Sequence, residues 1–387
     1  VNQVSWRTRA RGARLASALL CVATLTACSS GYEPAGPFRP LPEGAPPEVG
    51  PPSTDPLPPV PGQPAEPGSG GHGGDPNVVA SGLSVPTGLA LLPDGSAVVG
   101  ERDTGRLLHV FPDRSPAQEL MTVPGIDTAG DGGLLGLALS PTFVQDGLLY
   151  AYVSTATDNR VVRFPIGGTP NPVLTGIPRG EVHNGGGLAF GLDGNLFVGT
   201  GDTGNPALAA DPASLAGKVL RIDVFGAPVG AAPVYSRGHR DVTALCLSVS
   251  DEQLFATDDA TDGQDELDAM VQGGDYGPAP PGKGPVIDFP AGEGGLGGCA
   301  AAGSAVFLGA LDGERVHVVP VDASGTVDGE PKEFLNGRYG RLRTVVLDPQ
   351  GGLWITTSNR DGVGTPAEDD DKVLRILPPT SEGGSPL

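Results

Sequence analysis

The stretch EVHNGGGL, Glu181 to Leu188, places a histidine against an asparagine and three glycines. A neutral imidazole, with an ordinary pKa near 6.5, can accept a proton near neutral pH and release it afterwards. Glycines 185 to 187 have no Cβ, so a backbone or a ligand can approach closely there. Three arginines elsewhere, Arg240, Arg341 and Arg343, offer planar forks suited to carboxylates, and Asp131 and Asp241 add acid groups. Taken singly, each of these residues reads most simply as an ion pair or a strand-end hydrogen bond. Gathered around one mouth they would form a polar binding pocket with a base in it.

The chain supplies elements able to gather them. After about residue 77, short apolar runs recur every 40 to 60 residues or so, the scale of propeller blades. The six copies begin VPTGLALLPDG, DGGLLGLALSPTF, HNGGGLAFGLDG, HRDVTALCLSVS, GSAVFLGALDGERVHVVPV and RLRTVVLDPQGGLWITT. Asp94-Gly95 and Asp193-Gly194 supply the positive backbone angles of tight hairpins. With 62 glycines, 41 prolines and 5% aromatic residues, the composition favours many short strands and turns over long helices. Antiparallel meanders repeated six times cover one another when arranged radially, so the sequence predicts an all-β, six-bladed β-propeller over 77–378. Residues just before each innermost strand then meet at one end of the channel: Thr87, Asp131, His183, Arg240 with Asp241, and Arg341 with Arg343. His109 and His317 fall in outer-strand alternation, His239 sits in a turn where a structural role serves equally well, and His72 reads as a solvated linker residue.

The flanks read differently. Residues 1–28 carry Arg7, Arg9, Arg11 and Arg14 and then the run LASALLCVATLTAC, in the order of an export signal, ending in a lipobox that would lipidate Cys28. The apolar run is too short for a stable membrane-spanning helix, so the membrane is reached through the lipid alone. The expectation is an exported bacterial lipoprotein on the outer membrane, facing the periplasm or the exterior. Residues 29–76 are a Pro/Gly-rich tether, and 379–387 a disordered tail. Cys246 and Cys299 are the two thiols left in the folded part; an exported compartment permits a disulfide, and two buried free thiols are the alternative. A formal charge of -21 argues against nucleic acid or anionic lipid as a partner.

From Val79 to Leu377 the ordered segments VPTGLALLPDG, GGLLGLALSPTF, HNGGGLAFGLDG, GKVLRID, YSRGHRD, DELDAMVQGGDYG and RLRTVVLDPQGGLWITT resemble the glucose/sorbosone dehydrogenase family. That resemblance implies soluble aldose dehydrogenases that use pyrroloquinoline quinone (PQQ) and calcium on a six-bladed propeller. It implies that His183 removes the anomeric hydroxyl proton while hydride passes to the quinone, giving an aldonolactone and requiring an external electron acceptor. Arg240, Arg341 and Arg343, with Asp131 and Asp241 beside them, would meet the cofactor. Calcium would lie at the loop DDATDGQDE, where Ala260 and Thr261 replace a Gly-Pro pair, and Glu266 and Tyr276 match positions of a second, structural calcium in some members.

Several positions depart from the family pattern. Asp131 and Asp241 stand where glutamine and asparagine are usual, and two carboxylates there would repel an anionic quinone. Val182 replaces an aspartate beside the histidine, which predicts the loss of an orienting partner. Gly187 stands where an arginine is common, Pro278 where a tryptophan is, and no site lysine is evident around Leu311 to Arg315. These departures leave open a non-catalytic propeller lipoprotein binding a carbohydrate or anionic ligand, and a calcium-dependent hydrolase such as a lactonase.

Overall fold

The computed structural model describes residues 74–259, 264–277 and 284–378. The signal with Cys28, the tether to residue 73, Ala260, Thr261, Pro278 and the tail at 379–387 lie outside the described residues.

Short β-rich runs separated by tight turns form six antiparallel sheets arranged as propeller blades. Strand β1 (Val78–Ser81) comes first in the chain but belongs to the last blade. Blade one is β2 (Pro86–Leu91), β3 (Ala97–Glu101), β4 (Arg106–Val110) and β5 (Gln118–Thr122). Blade two is β6 (Leu134–Leu139), β7 (Leu148–Ser154), β8 (Asn159–Pro165) and β9 (Asn171–Ile177), with the short helix α1 (Phe143–Asp146) in its first hairpin. Blade three holds β10 (Leu188–Phe190), β11 (Leu196–Gly199), β12 (Lys218–Ile222) and β13 (Val234–Arg237), with helix α2 (Pro206–Ala210) between its second and third strands. Blade four is β14 (Val242–Ser248), β15 (Gln253–Asp259) and β16 (Asp265–Ala269); β17 (Gly274–Asp275) then returns to pair in parallel with β13, and β18 (Ile287–Phe289) completes the blade. Blade five is β19 (Leu296–Ala302), β20 (Ala305–Ala310), β21 (Arg315–Pro320) and β22 (Lys332–Phe334). Blade six is β23 (Leu342–Leu347), β24 (Leu353–Thr357) and β25 (Lys372–Ile376), closed by β1 on its outer edge.

The fifth repeat begins earlier than its sequence suggests. Its innermost strand is β19, LGGCAAA, whose small side chains carry too weak an apolar signal to mark a strand; the segment GSAVFLG is the second strand of that blade. Closure at the ring seam also reaches further upstream than expected. Asp75 accepts hydrogen bonds from Tyr339 Oη and Arg338, 2.7 and 3.0 Å away, so the last residues assigned to the tether already join blade six.

The core consists of apolar layers between neighbouring blades. Trp354, fully buried, packs with Leu89, Val99 and Val373 between blades six and one, and Leu134, Leu149 and Phe164 of blade two pack on Leu107 and Val98 of blade one. Threonine hydroxyls of inner strands donate to the next blade: Thr87 to Leu134 O, Thr243 to Leu296 O and Thr344 to Thr87 O. Thr87 therefore serves blade packing. Cys246 on β14 and Cys299 on β19 are joined as a disulfide, linking the inner strands of blades four and five.

Candidate functional site

His183 lies in the loop before β10 with φ 52°, a left-handed conformation that few non-glycine residues adopt. Gly185 and Gly186, at φ 72° and 137°, carry the chain out of that turn and into the strand. Asn184 is buried and pins the loop, donating to Gly180 O at 2.9 Å and accepting from Asn159 Nδ2 at 2.9 Å. The imidazole Nδ1 is 2.8 Å from Asp202 Oδ1; its side chain is 16% exposed, that of Asp202 only 2%. This hydrogen bond raises the His183 pKa above its ordinary value. A carboxylate at Nδ1 favours the tautomer with the proton there, and no described residue bonds Nε2, which is left able to accept a proton.

The orienting partner expected to be lost with Val182 is thus present, supplied from the end of β11 instead of from the neighbouring residue. Its signal in the sequence is the aspartate of GTGD, 19 residues after the histidine. Asp202 is itself held, accepting from Gly204 N at 2.7 Å while its own N–H donates to Arg240 O at 2.7 Å.

Asp241 also differs from expectation. Its Oδ1 accepts the Gly185 N–H at 2.7 Å, and burial pushes its pKa up to about 7. A carboxyl shifted in this direction holds its proton more readily, so it repels an anion less than an ordinary aspartate would. Asp131 is exposed, and its N–H donates to Glu181 O at 2.9 Å, tying the start of blade two to the histidine loop.

The arginines split into two kinds. Arg240 Nη1 pairs with Asp259 Oδ1 at 2.6 Å, and Arg341 pairs with both Asp312 and Asp361 at 2.6 and 2.9 Å. Asp312 occupies the region where sequence shows no lysine, and its half-exposed carboxylate reaches the arginine. Among the described residues, Arg343 has a single hydrogen bond, Nε to Ser358 Oγ at 2.8 Å, and no carboxylate partner. Burial lowers its pKa to about 10, with the charges of Arg102 and Arg341 adding to the effect and those of Asp361 and Asp131 opposing it. Arg102, at the end of β3, is a cation of this neighbourhood that the repeat pattern did not single out.

The proposed calcium positions are less fully seen, since Ala260 and Thr261 lie outside the described residues. Asp259 and Asp265 flank that loop, and Asp265 Oδ2 accepts the N–H groups of Gly295 and Leu296. Burial raises the Asp265 pKa to about 7. Glu266 sits on β16 opposite Asp258 and Asp288. The Tyr276 phenol is engaged, donating to Ala269 O at 2.6 Å and accepting from Val271 N at 3.1 Å.

One blade on, His239 is completely buried. Its Nδ1 lies 2.9 Å from Asp258 Oδ2 and its Nε2 2.9 Å from Ser236 Oγ, while Asp268 stands 3.9 Å from Nδ1.

Comparison with known proteins agrees with this architecture. The family described as Glucose / Sorbosone dehydrogenase matches residues 83–281. Quinoprotein glucose dehydrogenase B of Acinetobacter calcoaceticus is 27% identical over 250 residues, 52% of either chain, so this chain spans about half the length of that relative. Aldose sugar dehydrogenase YliI of Escherichia coli is 26% identical over 341 residues, 74% of this chain and 90% of the relative. The PQQ-bound aldose sugar dehydrogenase of Streptomyces coelicolor superposes with a TM-score of 0.74 at 39% identity, covering 77% of this chain and 95% of its own.

Proposed function

Because the chain belongs to the glucose/sorbosone dehydrogenase family, whose members are sugar-oxidising oxidoreductases, we propose that it oxidises an aldose to its lactone with PQQ and calcium. The observation that carries this proposal is Arg343, a half-buried guanidinium whose hydrogen-bond partner among the described residues is a serine hydroxyl, on a propeller whose His183 has no described partner at Nε2. A guanidinium with no carboxylate in direct contact among the described residues fits an anionic group, and the quinone bears three carboxylates. Arg341 and Arg240 would join Arg343 in holding it, exchanging some of their contacts with Asp312, Asp361 and Asp259. When bound, the quinone supplies a two-electron acceptor for the hydride of the anomeric carbon.

The remaining work falls to the protein. His183 Nε2 takes the anomeric hydroxyl proton, and Asp202 steadies the imidazolium that results. Oxygen-rich surroundings of the 260–263 loop, including Asp259 and Asp265, suit calcium. We place the chain outside the cytoplasm, lipidated at Cys28, passing its electrons to an external acceptor.

The test is a quinone titration of the purified protein with calcium, followed by absorbance, then a panel of aldoses with an artificial acceptor. Saturable binding followed by sugar-dependent reduction is the expected result. Failure to bind at high quinone would overturn the proposal in favour of a non-catalytic binding propeller, which the ion pairs already occupying Arg240 and Arg341 favour.

A further inference from the structure

Lys218, the first residue of β12, is fully buried yet has no carboxylate within hydrogen-bonding distance among the described residues. Its ammonium donates to Leu208 O at 2.9 Å, Ala209 O at 2.7 Å and Ala216 O at 2.7 Å. All three of its donors are therefore spent on backbone carbonyls. Two of those carbonyls belong to α2, whose last turn has no continuing helix to satisfy them; the third lies on the chain returning to the blade. A buried ammonium is expensive to desolvate, so a methionine of similar shape would suffice if the position only filled space. Burial indeed pulls its pKa down to about 8.

What the ammonium clamps is the excursion from Asp202 to Gly217. The excursion leaves blade three at Asp202, turns through Thr203 and Gly204, and enters α2 at Asn205, whose side chain caps Ala207 N. Asn205 N donates back to Asp202 O at 3.0 Å, and Leu208 N to Asn205 O at 2.9 Å, so the helix and the aspartate turn are one hydrogen-bonded piece. The far end is shut by Gly217 N donating to Gly201 O at 2.8 Å. Helix α2 is pressed onto that closure: a Cβ at Gly217 would lie 2.4 Å from Ala209 Cβ. Among the described residues, Lys218 is the side chain that joins α2 to a blade strand by hydrogen bonds.

We infer that Lys218 is a positioning residue for His183: by locking the 202–217 excursion against β12 it holds Asp202 where the carboxylate meets His183 Nδ1. This inference rests on His183 being the base, but its test does not. The full chain, labelled with 15N in histidine and free of cofactor and sugar, is titrated by NMR, with the His183 signal assigned by its absence in His183→Ala. Asp202→Asn gives the shift expected when the orienting carboxylate is removed, a fall of the His183 midpoint towards its ordinary value.

Lys218→Met should move the His183 midpoint in that same direction while His109 and His317 titrate unchanged. Lys218→Gln, shorter and with two N–H donors for the three carbonyls, should move it by a smaller but measurable amount. A Lys218→Met protein with wild-type circular dichroism and a wild-type His183 midpoint would overturn the inference. If Lys218→Met does not fold, an unshifted His183 in folded Lys218→Gln overturns it equally. A merely structural lysine would lower the melting temperature without touching the His183 midpoint. A failed quinone titration, by contrast, would leave the inference standing.

Discussion

Two histidines one blade apart are built alike and end in different states. His183 and His239 each precede the innermost strand of a blade, and each places Nδ1 against an aspartate 19 residues further along, at 2.8 and 2.9 Å. Blade six repeats the device with an amide, since Asn359 accepts the Arg341 N–H from 18 residues downstream. In every case a polar side chain at the end of the second strand catches the loop leading into the first. His183 keeps Nε2 without a described partner and its side chain is partly exposed; His239 spends Nε2 on Ser236 and is sealed. The histidine–carboxylate pair is thus a structural element of the blade, and access to the second nitrogen converts one copy into a usable base.

The largest effect expected from this contrast is on turnover. His183→Ala should lower sugar oxidation by about 100-fold or more, the contribution typical of a general base, while quinone affinity measured by absorbance stays near wild type. His239→Ala should spare the chemistry of the mouth and instead destabilise the fold by about 2–3 kcal/mol, since Asp258 loses a buried partner; thermal denaturation checks this. Equal losses of activity from both variants at a temperature where both are folded would erase the distinction.

Asp202→Asn sharpens it through pH. Because the Asp202 hydrogen bond raises the His183 pKa, the active neutral imidazole is lost as pH falls through a midpoint above the ordinary value. In the variant the acid limb of kcat/KM should move to lower pH while the plateau falls by about tenfold. An unmoved limb would detach the carboxylate from the base.

Asp241 gives a smaller, pH-dependent change in stability. Its folded pKa of about 7 lies above the ordinary aspartate value of 3.8, so between those values the folded state holds a proton that the unfolded chain has released. Stability therefore declines as pH rises through that window. Asp241→Asn should raise the melting temperature by roughly 2–4 °C near neutral pH and by little near pH 4. The smallest effect is expected from Ser236→Ala, about 1 kcal/mol of stability with activity unchanged, because an Nε2 released inside the core still cannot reach a substrate.

Much of this was legible beforehand. The repeat of apolar runs and Asp-Gly turns identified the propeller, and the position of His183 before an inner strand marked the mouth. Strand β19 was missed because glycine and alanine carry little hydrophobic contrast, although backbone pairing needs none. Asp202 is not legible beside the histidine, because a hairpin return brings the carboxylate from 19 positions away. Lys218 sits in GKVLRID, where a lysine before an apolar strand looks like a solvated end; only the fold of the preceding excursion buries it.

Periodicity and turn chemistry are local properties, and they suffice to specify the propeller and most of the residues that stand at its inner-strand starts. Charge state and availability are not local. Arg341 is neutralised by Asp312 of blade five and Asp361 of blade six, whereas Arg343, two residues on, has Ser358 as its hydrogen-bond partner among the described residues. Asp241 is pushed towards neutrality by burial, and His183 differs from His239 by what lies against Nε2. Each of these outcomes depends on desolvation and on partners contributed by segments far away in the chain, which come together only when the ring closes.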